Sequence, residues 1–258
     1  MTHPALTPWW RARRSAPEGR AVEGSTDATR ILDLHHASVR DLLADARAAA
    51  PDASEDRSRL LAAHGLIRDR VRPVYAMNDA QPVSRTLAKG RGSCSQRLAV
   101  LEAVARAGGI PTRVRGLLID GAFWYPRFPR LRAIVPATVL LAWPEFRLGT
   151  DWVGASELYA PIDVLRERGP EGFTNRGGQT LFEALSVTAV DWDGEQPAPC
   201  TVPGAGDTGC GAGDLSAMVR RDLGRFDSRD ELFATHGQTL CPIARVAGDT
   251  VLSRRSAA

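Results

Sequence analysis

Apolar residues recur at helical spacing in three segments between residues 26 and 108. Good N-cap residues precede the apolar stripes, and proline or glycine follows them. Three helices are therefore predicted: from Thr26 or Asp27 to before Pro51, from Ser54 to Pro73, and from Ser93 or Cys94 to Gly108. Residues 74–92 lack this period, and we expect irregular structure there.

The pattern changes after residue 111, where short runs rich in Val, Ile and Leu are typical of strands. Four strands are predicted, over residues 112–119, 138–146, 151–155 and 185–192. A Pro/Gly-rich loop over residues 194–213 follows, and two further helices are expected over residues 214–226 and 228–236. This order predicts an α+β fold with helices packed on a mostly antiparallel sheet, plus a helical C-terminal appendage.

These patterns divide the chain into three regions. Residues 1–26 are rich in Pro, Arg, Gly and Ser, which predicts a mobile N-terminal arm. Residues 27–192 are predicted to form the α+β domain. Residues 193–258 then contain the Pro/Gly-rich loop and the helical tail.

Composition and charge narrow the function classes. The chain has 258 residues, of which 43% are hydrophobic and 24% are charged, as in ordinary globular proteins. Its net charge is +3 and its basic residues are dispersed, which argues against an extended nucleic-acid surface. The apolar run over residues 134–143 is about half the length of a membrane span, and the N-terminus lacks the apolar core of a signal peptide. We expect a cytoplasmic protein that binds neither nucleic acid nor membrane.

Cys94 is the first candidate for chemistry. The pattern places it in the first turn of the third helix, where unpaired N–H groups and the helix dipole stabilise a thiolate. A buried structural cysteine at a helix start fits the same local pattern, because free cysteine is among the most buried residue types. The local sequence leaves both interpretations open.

The surrounding motif is more specific. The stretch GRGSCSQRLAVLEAVARAGGIPTRVRGL, residues 90–117, resembles the nucleophile segment of transglutaminase-like proteins. The resemblance extends over residues 54–158 and implies a papain-like α+β core in which Cys94 is the nucleophile. It also implies no cofactor, and a peptide, protein or carrier-bound acyl group as substrate. In the family, a histidine and an aspartate on successive strands complete a triad with the cysteine.

The triad positions depart from the family pattern. The family strand reads His-Ala-Trp-x-Glu-Val, and the matching frame here begins with Leu141 in the histidine position. The acid position is occupied by Ser156, with Glu157 next to it. The frame makes Trp143, Ser156 and Glu157 candidate substrate-binding residues, but a Cys-His-Asp triad cannot be assembled from the expected positions.

Other segments supply further candidates for the site. His236 ends the last predicted helix and could replace the missing base, or it could be an ordinary last-turn cation. Trp124 and Tyr125 lie in an aromatic loop that could line a substrate groove or cover the core. The other histidines, His3, His35, His36 and His64, are interpreted as surface or structural residues.

The cysteines of the tail do not suggest a metal site. The spacing of Cys200, Cys210, His236 and Cys241 lacks the paired knuckles of structural zinc, so no metal is predicted. A disulfide or unrelated thiols explain these cysteines equally well.

Two functions remain open on the sequence. The first is thiol-dependent acyl transfer, or amide or peptide hydrolysis, through Cys94. The second is a catalytically degenerate binding module that keeps the groove without turnover. The motif around Cys94 favours the first, and the missing triad partners favour the second.

Overall fold

The computed structural model describes residues 22–50, 55–130, 132–193, 214–241 and 245. Its helices in chain order are α1 Ala37–Ala49, α2 Asp56–Arg70, α3 Val83–Lys89, α4 Cys94–Ala107, α5 Ile162–Arg168, α6 Leu181–Ala184 and α7 Arg229–His236. Its strands are β1 Arg72–Pro73, β2 Arg91–Gly92, β3 Thr112–Asp120, β4 Thr138–Leu148, β5 Asp151–Gly154 and β6 Val219–Phe226. This combination confirms the predicted α+β class. Within these ranges, no helix has both the length and the apolar composition needed to cross a lipid bilayer.

The first helix is shorter than its sequence pattern predicted. It begins at Ala37, where the ring of His36 accepts a hydrogen bond from the Ser38 N–H (3.2 Å). Ile31 is buried before the helix, in a segment whose turn is closed by a bond from the Leu32 N–H to the Thr29 hydroxyl (3.0 Å). The apolar residues before position 37 are buried in an irregular segment and not on a helix. The predicted helix start at residue 26 or 27 was therefore wrong.

Residues 74–92 contain a helix that the sequence interpretation missed. Helix α3 follows Pro82 and ends at Gly90, whose φ of 57° is the left-handed conformation that commonly ends a helix. Strands β1 and β2 pair in parallel on either side of this helix. The short turn brings the chain directly to the start of α4.

Helix α4 lies at the centre of the domain, with α1, α2 and α3 against it and β4 on another side. Its interior residues are almost all buried, including the charged side chains Arg97, Glu102 and Arg106. Glu102 accepts a hydrogen bond from the Nε of Arg229 (2.6 Å), and both side chains are fully buried. A buried ion pair thus joins the central helix to α7.

The main sheet is antiparallel and has the strand order β5-β4-β3-β6. Leu141 on β4 stands opposite Leu117 on β3, which places it midway along the strand pair. Helix α4 packs on β4, and residues 139–141 of this strand lie beside the start of the helix. The sheet therefore brings Leu141 to the same region as Cys94.

Two predicted elements are wrong. Residues 185–192 form turns after α6, whereas a strand was predicted. Residues 214–226 form a 3-10 turn, Leu215–Met218, followed by β6, whereas a helix was predicted. Gly224 has a φ of 83°, a left-handed conformation that a helix does not contain. The segment consequently completes the sheet instead of forming an appendage helix, and only the second tail helix, α7, is confirmed.

The end of the predicted N-terminal arm packs on the domain. Val22 is buried, and Ser25 forms an antiparallel bridge with Thr112 at the start of β3. The N–H of Gly24 also donates to the Asp227 carboxylate (3.1 Å). Residues 22–26 are therefore fixed, which corrects that part of the predicted arm, and residues 1–21 lie outside the described part of the chain.

Candidate functional site

Cys94 is the first residue of α4 and lies within a capping box formed by Ser93 and Gln96. The Ser93 hydroxyl accepts from the Gln96 N–H (3.2 Å), and the Gln96 side chain accepts from the Ser93 N–H (3.1 Å). Gly92 precedes this box, and a Cβ at that position would lie 2.8 Å from the Cγ2 of Thr86 and 3.2 Å from the Oε1 of Gln96. A side chain at this position would therefore displace residues that fix the start of the helix at Cys94.

A cavity of about 410 Å³ lies beside Cys94. It is bounded by the start of α4, by residues 139–141 of β4 and by the loops around residues 75, 125 and 175. Its wall is predominantly apolar, with aromatic residues from three loops: Tyr75, Phe123, Trp124, Phe128 and Phe173. This volume lies within the range of small-molecule pockets, and such a wall favours an apolar ligand.

The start of helix α6 influences the ionisation of Cys94. Hydrogen bonding by the Phe182 N–H and by the Thr180 hydroxyl lowers the pKa of this thiol. Thr180 caps α6 and forms a second capping box with Glu183, in which the Thr180 N–H donates to Glu183 Oε2 (3.1 Å). The thiol thus lies between the N-terminal ends of two helices, and both polar contacts stabilise its ionised form.

Burial nevertheless dominates the ionisation of this thiol. It raises the pKa of Cys94 above the ordinary value of a cysteine, and the Phe182 N–H and the nearby Arg97 guanidinium offset only part of the increase. The negative charge of Glu183 acts in the same direction as burial. Burial therefore opposes the stabilisation of the thiolate that the helix position alone predicted, although the Cys94 side chain is only half-buried.

Arg97 and His64 enclose the ring of Phe182. The Arg97 guanidinium lies 4.2 Å from the ring centroid and forms an ion pair with Glu183 (2.5 Å). The His64 ring stacks on Phe182 with a centroid distance of 4.2 Å and an interplanar angle of 13°. Phe182 itself is fully buried. These contacts fix the residue that donates to Cys94.

Asn175 holds one wall of the cavity. Its φ of 59° lies in the left-handed region, which asparagine tolerates better than most residues. Its side chain donates to the Phe123 carbonyl (3.0 Å) and accepts from the Arg127 Nε (2.9 Å). One amide therefore fastens two of the loops that line the cavity.

The comparison with protein families gave a match for the central part of the chain. Residues 45–156 match the family model of the transglutaminase-like superfamily. The chain contains a transglutaminase-like domain. Searches of curated proteins and of solved structures gave no match. The matched range of the transglutaminase-like domain includes Cys94, Leu141 and Ser156, the three positions in which the family frame expects a triad.

The structure brings two of the candidate residues to the cavity of this domain. Leu141 lines the same cavity as Cys94. Trp124 also lines the cavity. In contrast, Tyr125 is partly exposed at 37% and does not belong to the wall.

The other candidates on and after β4 lie elsewhere. Trp143 is buried and packs edge-to-face on Trp192 with a centroid distance of 5.1 Å. Ser156 is buried in a 3-10 turn, Ser156–Leu158, and does not line the cavity. The Glu157 carboxylate accepts from the Gly154 N–H (2.8 Å) and closes the turn after β5. None of these three side chains contributes to the wall of this cavity.

His236 lies in the core at the end of α7. It is fully buried and packs edge-to-face on Phe226, with a centroid distance of 5.6 Å. It does not line the cavity, although Thr239 and Leu240, which follow it, do. The structure therefore places the tail at the cavity without placing this imidazole there, and its assignment as the base is not supported by the cavity geometry.

The described residues give no sign of a metal centre. Among them, no group of three or more His, Cys, Asp or Glu could hold a metal ion. Cys241 is a half-buried free thiol, and Cys200, Cys210 and His3 lie outside the described residues.

The sequence analysis missed Tyr75, Thr180 and Phe182. Thr180 was detectable, because Thr-x-x-Glu at residues 180–183 is a capping-box signature. Phe182 acts through its backbone N–H, which every residue except proline has, so no sequence signal distinguishes it. Tyr75 lay in the segment interpreted as irregular and could be found only from the fold.

Proposed function

We propose that Cys94 accepts an acyl group from an activated acyl donor, and that the apolar cavity holds the acyl chain. The observation that carries this proposal is the position of the thiol: it opens into an apolar cavity while the Phe182 N–H and the Thr180 hydroxyl stabilise its anion. A nucleophile beside an apolar wall selects donors by their acyl chain.

The missing imidazole determines the kind of donor. The sulfur attacks the acyl carbonyl carbon, an S–C bond forms, and the bond to the leaving group breaks. The thiol proton goes to the leaving group, directly or through water, because Leu141 replaces a side chain that would take it. The leaving group of a thioester departs as a thiolate and needs little protonation. The amine of an amide must be protonated by a general acid before it can leave. Acyl transfer from a carrier-bound thioester is therefore favoured over peptide hydrolysis.

A second candidate function is binding without a covalent step. The increase of the Cys94 pKa by burial and the apolar residue at the base position both favour it. In this case the domain is a catalytically degenerate module, and the cavity binds an apolar ligand reversibly.

A chain-length series of acyl thioesters tests both candidates. Each buried methylene contributes about 0.8 kcal/mol, so the acylation rate constant at low substrate concentration should increase about fourfold per methylene until the cavity is full. Intact-mass spectrometry should detect one acyl adduct, and peptide mapping should place it on Cys94.

Two variants separate the outcomes of this experiment. Cys94→Ala should abolish the adduct, and Cys241→Ser, which removes the other described free thiol, should keep it. Saturable binding of the same thioesters without any adduct, equal in the wild type and in Cys94→Ala, would establish the binding module instead. Neither adduct nor binding would refute both candidates.

A further inference from the structure

His64 is a buried ionisable side chain that the proposed reaction does not use. It lies on α2, is 1% exposed, and both of its ring nitrogens have partners. Nε2 lies 2.7 Å from the Phe182 carbonyl oxygen, and Nδ1 lies 2.6 Å from the Tyr159 hydroxyl. The family frame assigns no role to this histidine, and the sequence analysis interpreted it as structural.

These contacts determine which nitrogen carries the hydrogen. A carbonyl oxygen only accepts, so Nε2 donates to Phe182 and Nδ1 accepts from the Tyr159 hydroxyl. The tyrosine thereby selects the tautomer that binds the carbonyl. The stacked rings of His64 and Phe182 add a second contact between the same two residues.

Phe182 connects this pair to the thiol. Its carbonyl accepts from His64, and its own N–H lowers the pKa of Cys94. Helix α6 has only four residues, Leu181–Ala184, which is too short to be rigid without tertiary contacts. We propose that His64, oriented by Tyr159, is a positioning residue that fixes the Phe182 N–H on the sulfur of Cys94. Its role in acyl transfer rests on the proposed function, but its effect on the thiol does not.

The charges around His64 keep this arrangement constant across the useful pH range. Arg97, Arg68 and Glu183 face the imidazole, and burial with the two arginines lowers the pKa of His64 to about 4. Burial raises the pKa of Tyr159 to about 12, so its hydroxyl keeps the hydrogen that it donates. His64 and Tyr159 are therefore both uncharged, and their hydrogen bonds persist, between about pH 6 and pH 9, the range over which the thiol is titrated.

Alkylation of Cys94 over this pH range tests the positioning role. The rate with iodoacetamide follows the thiolate fraction and is measured on the Cys94 peptide by mass spectrometry. Arg97, Glu183 and Tyr75 are the charged or ionisable groups that interact with Cys94, and none of them is changed in the variants.

His64→Leu removes the donor and should slow alkylation at pH 7.5 about tenfold, equivalent to an increase of the thiol pKa by about one unit. His64→Gln keeps an N–H for the carbonyl and should restore the rate to within about threefold of the wild type. Tyr159→Phe keeps the imidazole without its orienting partner and should give an intermediate decrease.

A matched control separates positioning from loss of stability. Leu60→Ala truncates a buried residue one turn earlier on the same helix and leaves the imidazole in place. It should lower the free energy of unfolding without changing the alkylation profile. An unchanged profile in folded His64→Leu would overturn the proposal. If that variant does not fold, an unchanged profile in Tyr159→Phe overturns it instead.

The two proposals fail independently in these measurements. Alkylation needs no acyl donor, so a decrease in His64→Leu supports positioning even if the wild type forms no thioester. Thioester formation with an unchanged alkylation profile in His64→Leu would support the function and refute the role of His64.

Discussion

The buried imidazole of His64 makes a quantitative prediction about stability and pH. Its folded pKa is about 4, whereas an unperturbed histidine has a pKa of about 6.5. The unfolded chain therefore binds a proton at a higher pH than the folded protein. The contribution of His64 to the free energy of unfolding is complete above about pH 6.5, decreases as the pH falls below that value, and is lost as the pH passes through about 4.

The size of this effect follows from the two pKa values. Between pH 7.5 and pH 5.0, proton binding to the unfolded chain should cost the wild type about 2 kcal/mol of unfolding free energy. Urea unfolding at the two pH values measures the loss. His64→Gln cannot titrate at this position, so its loss should be smaller by the same amount.

Subtracting the loss of unfolding free energy in His64→Gln from the loss in the wild type removes the contributions of all other titrating groups. The remaining histidines and the carboxylates titrate in both proteins, so their effects cancel when the two losses are subtracted. Losses that agree to within about 0.5 kcal/mol would refute the reasoning, because His64 would then bind its proton equally well in the folded and unfolded chains.

Three further predictions concern other parts of the site. Gly92→Ala should disrupt the capping box of Gln96 and lower the free energy of unfolding by about 1–2 kcal/mol, and an unchanged urea midpoint would show that the close contact relaxes freely. Glu102→Leu should cost about 3–5 kcal/mol because the guanidinium of Arg229 loses its buried partner, which thermal unfolding measures and a loss below about 1 kcal/mol contradicts. Leu141→His places an imidazole at the cavity wall and should accelerate thioester formation about 100-fold, measured by intact mass; no acceleration would mean that the ring does not reach the thiol.

The start of α4 could be predicted because its signals are local. Ser93 caps the helix, and Gly108 and Gly109 end it, so neighbouring residues alone define both boundaries. The family frame correctly placed Leu141 at the cavity, since the register of β4 fixes which side chain faces α4. Ser156 was not placed correctly, because the turn after β5 directs it into the core.

The errors in the tail have a different physical cause. Leu215, Leu223 and Phe226 are all buried, but the alternation that identifies a strand is interrupted at Gly224. Strand β6 forms because β3 offers it a partner, and this partner lies about 100 residues earlier in the chain. Short-range patterns contain no information about such pairing. The role of Phe182 could not be predicted for a separate reason, because a backbone N–H has no sequence signature.

The strand order has a consequence for where this chain can be divided. Residues 45–156 contain β3, β4 and β5 but not β6, although Phe226 pairs with Val114 and Arg225 pairs with Arg115. A fragment cut at residue 156 would expose the backbone edge of β3, and unprotected strand edges promote aggregation. In the intact chain this edge stays unpaired until synthesis reaches residue 219, because β6 follows β3 by about 100 residues. A fragment that keeps this edge of β3 paired must therefore extend through β6.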